Sequence, residues 1–138
     1  MKRLLMLTVA VLMLQGIALG NEAINEDQAL RCILGEARNQ PYKGMCAVGE
    51  VLRRSPKIPF YGASTIFYED GSWFAVEKEK AVLIPPKLVE KARRAWAESV
   101  YSDYSKGATH FEGTDFPIPK WARKMEVTTT IGSQRFFK

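Results

Sequence analysis

Histidine and cysteine are scarce in this sequence of 138 residues, which contains one histidine, His110, and two cysteines, Cys32 and Cys46. A single histidine excludes zinc sites that are built on two or three imidazole rings. The spacing of the two cysteines matches no zinc motif, so the three residues together do not predict a metal site. We therefore expect neither a metal ion nor a cofactor.

Internal repeats and long runs of like charge are also absent. No block of one charge is longer than the pairs Arg53-Arg54 and Arg93-Arg94, so the sequence offers no basic stripe and we expect no nucleic-acid partner. With 46% hydrophobic and 25% charged residues, the composition is that of a globular protein. The length suffices for one domain with a single modest core.

The first 20 residues are typical of a secretory signal peptide. They begin with two basic residues, continue with an apolar run from Leu4, and end with small residues at Ala18 and Gly20. We expect cleavage before Asn21, which leaves residues 21–138 as the mature domain. The alternative is a retained membrane anchor, since 17 residues from Leu4 to Gly20 carry no charge. Either interpretation exports the domain to the periplasm or the extracellular envelope, with membrane contact only through this segment.

The exported part keeps a small positive excess. Without Lys2 and Arg3, 18 basic and 15 acidic residues remain, a net charge of +3. This balance suits an anionic surface such as the bacterial envelope.

Helical and strand-like patterns alternate along the rest of the chain. Asn25 and Gln28 predict a capping box at the start of a first helix, and a turn from Asn39 to Gly44 should end that helix. The other expected elements are helices from about Met45 to Arg54 and from about Lys87 to Tyr101, with Trp96 in the core, and strands at Ser64 to Tyr68, Ser72 to Val76, Thr109 to Glu112, Glu126 to Ile131 and Arg135 to Lys138. They predict an α+β domain of about three helices beside a short antiparallel sheet.

Glu36 falls at the edge of the apolar face of the first helix, beside Ile33. A carboxyl group there should be partly desolvated, and desolvation favours the protonated form. Such a glutamic acid can hold its proton near neutral pH and donate it as a general acid. The alternative is that Glu36 only marks the boundary between a buried and a wet face, paired with Arg38 or Lys43. Periodicity does not decide between the two.

Three stretches of the sequence carry motifs. The first is GEARNQPYKGMCAVGEVLRR, the second GATHFEGTDFPIPKWARKM and the third IGSQRFFK. They resemble G-E-A-R-G-E-P with A-V-A-x-V-x-x-N-R, G-A-T-H-F/Y followed by P-x-W-A, and the closing I-G-x-H-x-F-Y, which are motifs of the SleB/CwlJ-type cell-wall hydrolases, a family of spore-cortex-lytic and phage-type peptidoglycan lytic enzymes. The resemblance covers most of the chain from Gln28 to Lys138. It implies a lysozyme-like or transglycosylase-like domain with a cleft, and peptidoglycan as the substrate.

The sequence departs from the family pattern at several positions. The second acid of the first motif is Gln40, its N-R is Arg53-Arg54, and the histidine of I-G-x-H is Gln134. Glu36 is the acid that remains of the leading pair, and the resemblance gives it the catalytic role. Substrate contacts are implied at Gln40, Trp73, Thr109, His110, Glu112 and Trp121. Trp121 has a second interpretation, in which it packs in the core beneath the sheet.

A single catalytic acid favours one reaction type. Hydrolysis of a glycosidic bond normally takes two carboxyl groups, whereas a lytic transglycosylase uses the C6 hydroxyl of its own substrate to attack the anomeric carbon. We therefore predict cleavage between MurNAc and GlcNAc, with Glu36 acting first as acid and then as base. Among possible second carboxylates, Glu112 and Asp115 could border the cleft, and Glu50 is expected to be solvated.

Two other functions remain open from the sequence. A Cys-His peptidase would use Cys32 or Cys46 with His110, and would need a lowered thiol pKa. A glycan-binding relative without turnover would not require Glu36. The two cysteines could also form a disulfide after export, or each could be a small buried apolar side chain. The choice between hydrolysis and transglycosylation, and between the cell's own wall, a spore cortex and a host wall, is equally open.

Overall fold

A computed structural model describes residues 24–55 and 62–138, in which three helices accompany two three-stranded antiparallel sheets. The helices are α1 (Glu26–Ala37), α2 (Tyr42–Arg54) and α3 (Pro86–Glu98). The first sheet contains β1 (Ile66–Glu69), β2 (Ser72–Glu77) and β3 (Lys80–Leu83) in the order β1-β2-β3, and the second contains β4 (His110–Gly113), β5 (Val127–Ile131) and β6 (Gln134–Phe137) in the order β4-β6-β5. The expected α+β class is confirmed. Short 3-10 helices occupy Gly62–Thr65 and Lys120–Ala122.

The expected signal segment, residues 1–20, lies outside the described residues. Within the described ranges, no helix has the length and apolar character that crossing a membrane requires.

The start of α1 is the capping box expected from the sequence. The Gln28 amide donates to Asn25 Oδ1 at 2.8 Å, and the Asn25 amide donates to Gln28 Oε1 at 3.2 Å. Two of the amides that a helix leaves unpaired at its N-terminus are thereby satisfied. The buried face of α1 packs against α2 and α3 and carries Ala29, Leu30, Cys32, Ile33, Leu34 and Ala37. The apolar stripe read from the sequence is therefore the core face of α1.

The turn between α1 and α2 is shorter than expected. Helix α2 already begins at Tyr42, so the prediction that Gly44 ends a turn is wrong, and Pro41 stands at the N-cap position instead. Gly44 lies in a tightly packed position, since a Cβ atom there would lie 3.2 Å from Gln40 Cβ and 3.6 Å from Ile131 Cγ2. The glycine permits close packing against the second sheet inside a continuous helix.

Glu50 is buried, and the expectation that it is solvated is wrong. Its side chain is 2% exposed. The carboxylate accepts hydrogen bonds from Ser102 Oγ at 2.5 Å, from the Tyr104 amide at 3.1 Å, and from the amide and Oγ of Ser105 at 2.9 and 2.7 Å. A buried charge requires such partners, and here the loop after α3 supplies them. The helical pattern of α2 could not reveal a loop that is distant in sequence.

The first sheet was predicted only in part. The β1–β2 hairpin across Asp70 and Gly71 is confirmed, and both turn residues have positive φ, at 49° and 81°, as a two-residue hairpin turn requires. Strand β3 was not predicted, because all four of its residues are exposed and show no alternation. It pairs with β2 and extends the predicted β1–β2 hairpin to the three-stranded first sheet. Trp96 lies in the core at 9% exposure, as expected.

Candidate active site

Glu36 lies in the last turn of α1 with a half-buried side chain. The backbone N–H of Gly62 donates to Glu36 Oε1 at 2.8 Å. Gly62 opens the 3-10 helix that precedes β1, and Thr65 Oγ1 closes this turn by donating to the Gly62 carbonyl at 2.8 Å. The 3-10 helix before the first sheet thus contacts the carboxyl group through one backbone amide.

Two glycines allow this contact. A Cβ atom on Gly35 would overlap the backbone of Gly62. A Cβ atom on Gly62 would lie 2.6 Å from the Gly35 carbonyl carbon and 2.8 Å from Glu36 Oε1. The two chain segments can approach only because both residues lack a side chain. No pattern in the sequence indicated Gly62, although Gly35, directly before the acid, belongs to the first motif.

The main chain of Glu36 is held from the second sheet. Gln134 Nε2 donates to the Glu36 carbonyl oxygen at 2.8 Å. The Gln134 side chain is 5% exposed, and its Oε1 is a buried atom without a hydrogen-bond partner among the described residues. Gln134 thereby connects the first residue of β6 to the end of α1.

Gln40 contacts the same hairpin. Its Nε2 donates to Ser133 Oγ at 2.6 Å, and its Oε1 accepts from the Ser133 amide at 2.9 Å. Ser133 lies in the turn between β5 and β6. Both polar groups of the Gln40 amide are thus engaged within the protein, next to Gly132, where a Cβ atom would overlap Gln40 Oε1.

The other residues singled out near the C-terminus form a cluster on the second sheet. The Trp121 ring is 47% exposed, lies 5.2 Å from the His110 ring and meets Phe137 edge-on at 5.6 Å. Thr109 Oγ1 is 2.9 Å from His110 Nδ1. The structure therefore brings Thr109, His110 and Trp121 together.

His110 of that cluster and Gln134 occupy opposite faces of the second sheet. His110 pairs with Phe137, and Glu112 pairs with Arg135, so these four side chains share one face. Gln134 falls on the other face. His110 and Glu112 therefore lie on the sheet face opposite to Gln134, and Trp121 joins them there through its contacts with the His110 and Phe137 rings.

Trp73 belongs to the core. It is 8% exposed and packs at 5.2 Å from the Tyr68 ring and 5.3 Å from the Arg31 guanidinium. Its contacts are with neighbouring protein groups, and it packs among the buried residues of the hydrophobic core.

The cations considered as partners of Glu36 are engaged elsewhere. Arg38 Nη2 pairs with Glu77 Oε1 at 2.5 Å, and its Nη1 donates to the Leu34 carbonyl at 3.1 Å. Lys43 Nζ lies over the Tyr104 ring at 5.7 Å. The ion pairs found in the described part of the chain do not include Glu36. A surface ion pair therefore does not account for the glutamate.

The two cysteines are buried free thiols. Burial, and secondarily the negative charge of Glu36, raises the pKa of Cys32 to about 12. Burial and a hydrogen bond to Glu98 Oε2, at 3.0 Å from the sulfur, raise the pKa of Cys46 to about 12. A nucleophilic thiol needs the opposite shift. Among residues 24–55 and 62–138, no group of three or more His, Cys, Asp or Glu side chains is arranged to hold a metal ion.

Known structures share this fold. The catalytic domain of the Bacillus cereus SleB protein superposes with a TM-score of 0.56 and 22% identity, over 86% of this chain and 98% of that one. The catalytic domain of the germination-specific lytic transglycosylase SleB from Bacillus anthracis gives a TM-score of 0.54 and 23% identity, over 86% and 99%. A scan against protein-family models finds no match, and a search of curated proteins finds none either. The chain therefore has the fold of the SleB catalytic domain, as the resemblance of its motifs implied.

Proposed function

We propose that this chain is an exported SleB-type enzyme that cleaves the glycan strand of peptidoglycan between MurNAc and GlcNAc, with Glu36 as its general acid and base. The observation that carries the proposal is the Gly62 amide on Glu36 Oε1, which holds one carboxyl group where α1 meets the 3-10 helix before β1. The activity named for the Bacillus anthracis domain of the same fold, a lytic transglycosylase, supports this assignment.

The hydrogen bond to Oε1 indicates which oxygen moves the proton. In a protonated carboxyl group the carbonyl oxygen accepts and the hydroxyl oxygen donates. With Oε1 accepting from Gly62, Oε2 carries the proton that Glu36 gives to the glycosidic oxygen as the bond from that oxygen to C1 breaks. The C6 hydroxyl of the same MurNAc then forms a bond to C1 and returns its proton to Oε2. Glu36 ends the cycle as it began, and no water is consumed.

The surroundings of the other acids favour this single-acid scheme. Glu50 is committed to Ser102, Tyr104 and Ser105. Glu112 lies on the sheet face opposite to Gln134, and Asp115 is exposed. None of the three is a supported partner for Glu36, whereas hydrolysis with retention or inversion needs a second carboxylate at a defined distance.

The cluster of Thr109, His110 and Trp121 is the proposed contact surface for the glycan. Nearly half of the Trp121 ring is open to solvent, and an aromatic face of this kind offers apolar area to a sugar while His110 and Thr109 offer hydrogen-bonding groups. Because His110 and Trp121 lie on the sheet face opposite to Gln134, we assign the cluster to sugars remote from the bond that is cleaved.

A Cys-His peptidase is the weaker proposal, because the pKa of each thiol is raised and no hydrogen bond links either thiol to His110 among the described residues. Digestion of purified peptidoglycan followed by product mass measurement tests the function. Transglycosylation gives anhydro-MurNAc ends, which are one water lighter than hydrolysed ends. Hydrolysed ends would replace the transglycosylase by a hydrolase, cleaved stem peptides would establish the peptidase, and an unchanged polymer would leave a binding protein.

A further inference from the structure

We propose that Gln134 is a positioning residue that sets the orientation of Glu36 through its main chain, and that Gln40 fixes the hairpin which carries Gln134. This inference rests on the proposed role of Glu36. It assigns to two glutamines a task that differs from substrate contact.

The link to Glu36 is direct. Gln134 Nε2 binds the carbonyl oxygen of Glu36 itself, 98 residues earlier in the chain. The contact lies at the C-terminus of α1, where the carbonyl groups of a helix lack partners within the helix. The orientation of this last turn sets the position of the Glu36 backbone, while the Gly62 amide sets the position of the carboxyl group.

The turn between β5 and β6, next to Gln134, is held by Gln40. Gln40 holds Ser133 by two hydrogen bonds, and Gly132 allows the turn to lie against Gln40 and Pro41. Ser133 directly precedes Gln134, so the turn cannot shift without moving the amide that reaches Glu36. Two side-chain amides thus connect the end of α1 and the α1–α2 turn to the hairpin.

The burial of Gln134 supports a positioning role. Gln134 is almost fully buried and its Oε1 has no partner among the described residues. An unpaired polar atom in such a place is costly, so a leucine of similar volume would suit burial alone better. A glutamine at this position is therefore explained by what its Nε2 holds.

Three variants of the protein test the proposal. Gln134→Leu keeps the volume and removes the donor, Gln134→Asn keeps an amide that is one methylene too short, and Gln134→His retains a ring N–H at a similar reach. Thr128→Val is the matched control, because it removes another hydrogen bond from a side chain of this sheet to a backbone carbonyl, Thr128 Oγ1 to Ser105 O at 2.6 Å. We measure kcat and KM on peptidoglycan, the melting temperature, and the amide NMR shift of Gly62 during a pH titration.

We expect Gln134→Leu and Gln134→Asn to lower kcat by about 10- to 100-fold, with KM within about threefold of the parent, because a displaced catalytic group costs rate more than binding. Gln134→His should recover most of the rate. The Gly62 amide shift should move in the Leu and Asn variants and stay in place in Thr128→Val, because this amide reports the position of Glu36 Oε1.

The proposal is overturned if the Leu variant keeps the parental kcat and Gly62 shift, or if its loss of rate equals that of Thr128→Val at the same melting temperature. If the Leu variant does not fold, the Asn variant decides by the same criteria. If the parent fails to cleave glycan, the proposed function falls, and the Gly62 shift alone decides the positioning role. If Glu36→Gln abolishes cleavage and neither Gln134→Leu nor Gln134→Asn changes rate or shift, only the positioning role falls.

Discussion

Replacing Gly62 by alanine should displace the Glu36 carboxyl group and lower the activity, although Glu36 itself is unchanged. The new methyl group would lie 2.8 Å from Glu36 Oε1, 2.9 Å from Cδ and 2.6 Å from the Gly35 carbonyl carbon. Carbon atoms in optimal contact are about 3.5–4.0 Å apart. Either the 3-10 turn or the carboxyl group must therefore move by roughly 1 Å, which also lengthens the hydrogen bond from the Gly62 amide.

The size of the effect follows from that displacement. A misplacement of about 1 Å at a catalytic group can cost roughly 100-fold in rate, so we expect kcat of Gly62→Ala to fall by about two orders of magnitude. Forcing a methyl group into a packed contact costs about 1–3 kcal/mol of the free energy of unfolding. The variant should therefore fold, with a lower melting temperature.

Gly71→Ala is the control that separates the two consequences. Gly71 has φ at 81°, so alanine there is strained and costs about 1–2 kcal/mol, yet a Cβ atom meets nothing within 4 Å. Both variants lose stability, and only Gly62→Ala should lose activity. Turbidity assays on purified walls and urea titrations measure the two quantities. Equal rates for Gly62→Ala and Gly71→Ala would refute the reasoning that Gly62 fixes the catalytic carboxyl group.

Two further predictions concern stability. Glu50→Gln replaces one carboxylate oxygen by an NH2 donor that faces either the Tyr104 amide or the Ser105 amide, and it should lower the free energy of unfolding by about 2–4 kcal/mol. Glu90→Gln on the exposed side of α3 should stay within about 0.5 kcal/mol in the same urea titration. Burial raises the pKa of both thiols from 9.0 to about 12, so between these pH values the unfolded chain loses thiol protons that the folded chain keeps. The free energy of unfolding should fall there by up to about 1.4 kcal/mol per pH unit for each thiol, and urea titrations at several pH values should find that part of the slope missing in a Cys32→Ala, Cys46→Ala double variant.

Local chemistry in the sequence predicted the elements that depend on neighbours along the chain. The capping box at Asn25, the apolar stripe of α1 and the Asp70-Gly71 hairpin all follow from residues within a few positions of one another. Glu36 was identified for the same reason, since its place beside the apolar stripe and its motif are both local.

Contacts between distant segments were not predictable in this way. Gly62 reaches Glu36 across 26 residues, Gln134 reaches it across 98, and Glu50 is buried by a loop more than 50 residues away. No pattern in one segment encodes the partner in another. The glutamines were therefore interpreted as substrate contacts or as departures from a motif, although the structure engages both in hydrogen bonds that tie α1 and the α1–α2 turn to the second sheet.

The central claim is that the carboxyl group of Glu36 transfers the proton. Glu36→Gln keeps the size of the side chain and an oxygen that can accept from the Gly62 amide, but it removes the transferable proton. We predict that release of anhydro-MurNAc products from purified peptidoglycan falls by about 10²- to 10⁴-fold, with a melting temperature close to that of the parent and with Glu90→Gln fully active. Release of the same products by Glu36→Gln at the parental rate would contradict the account.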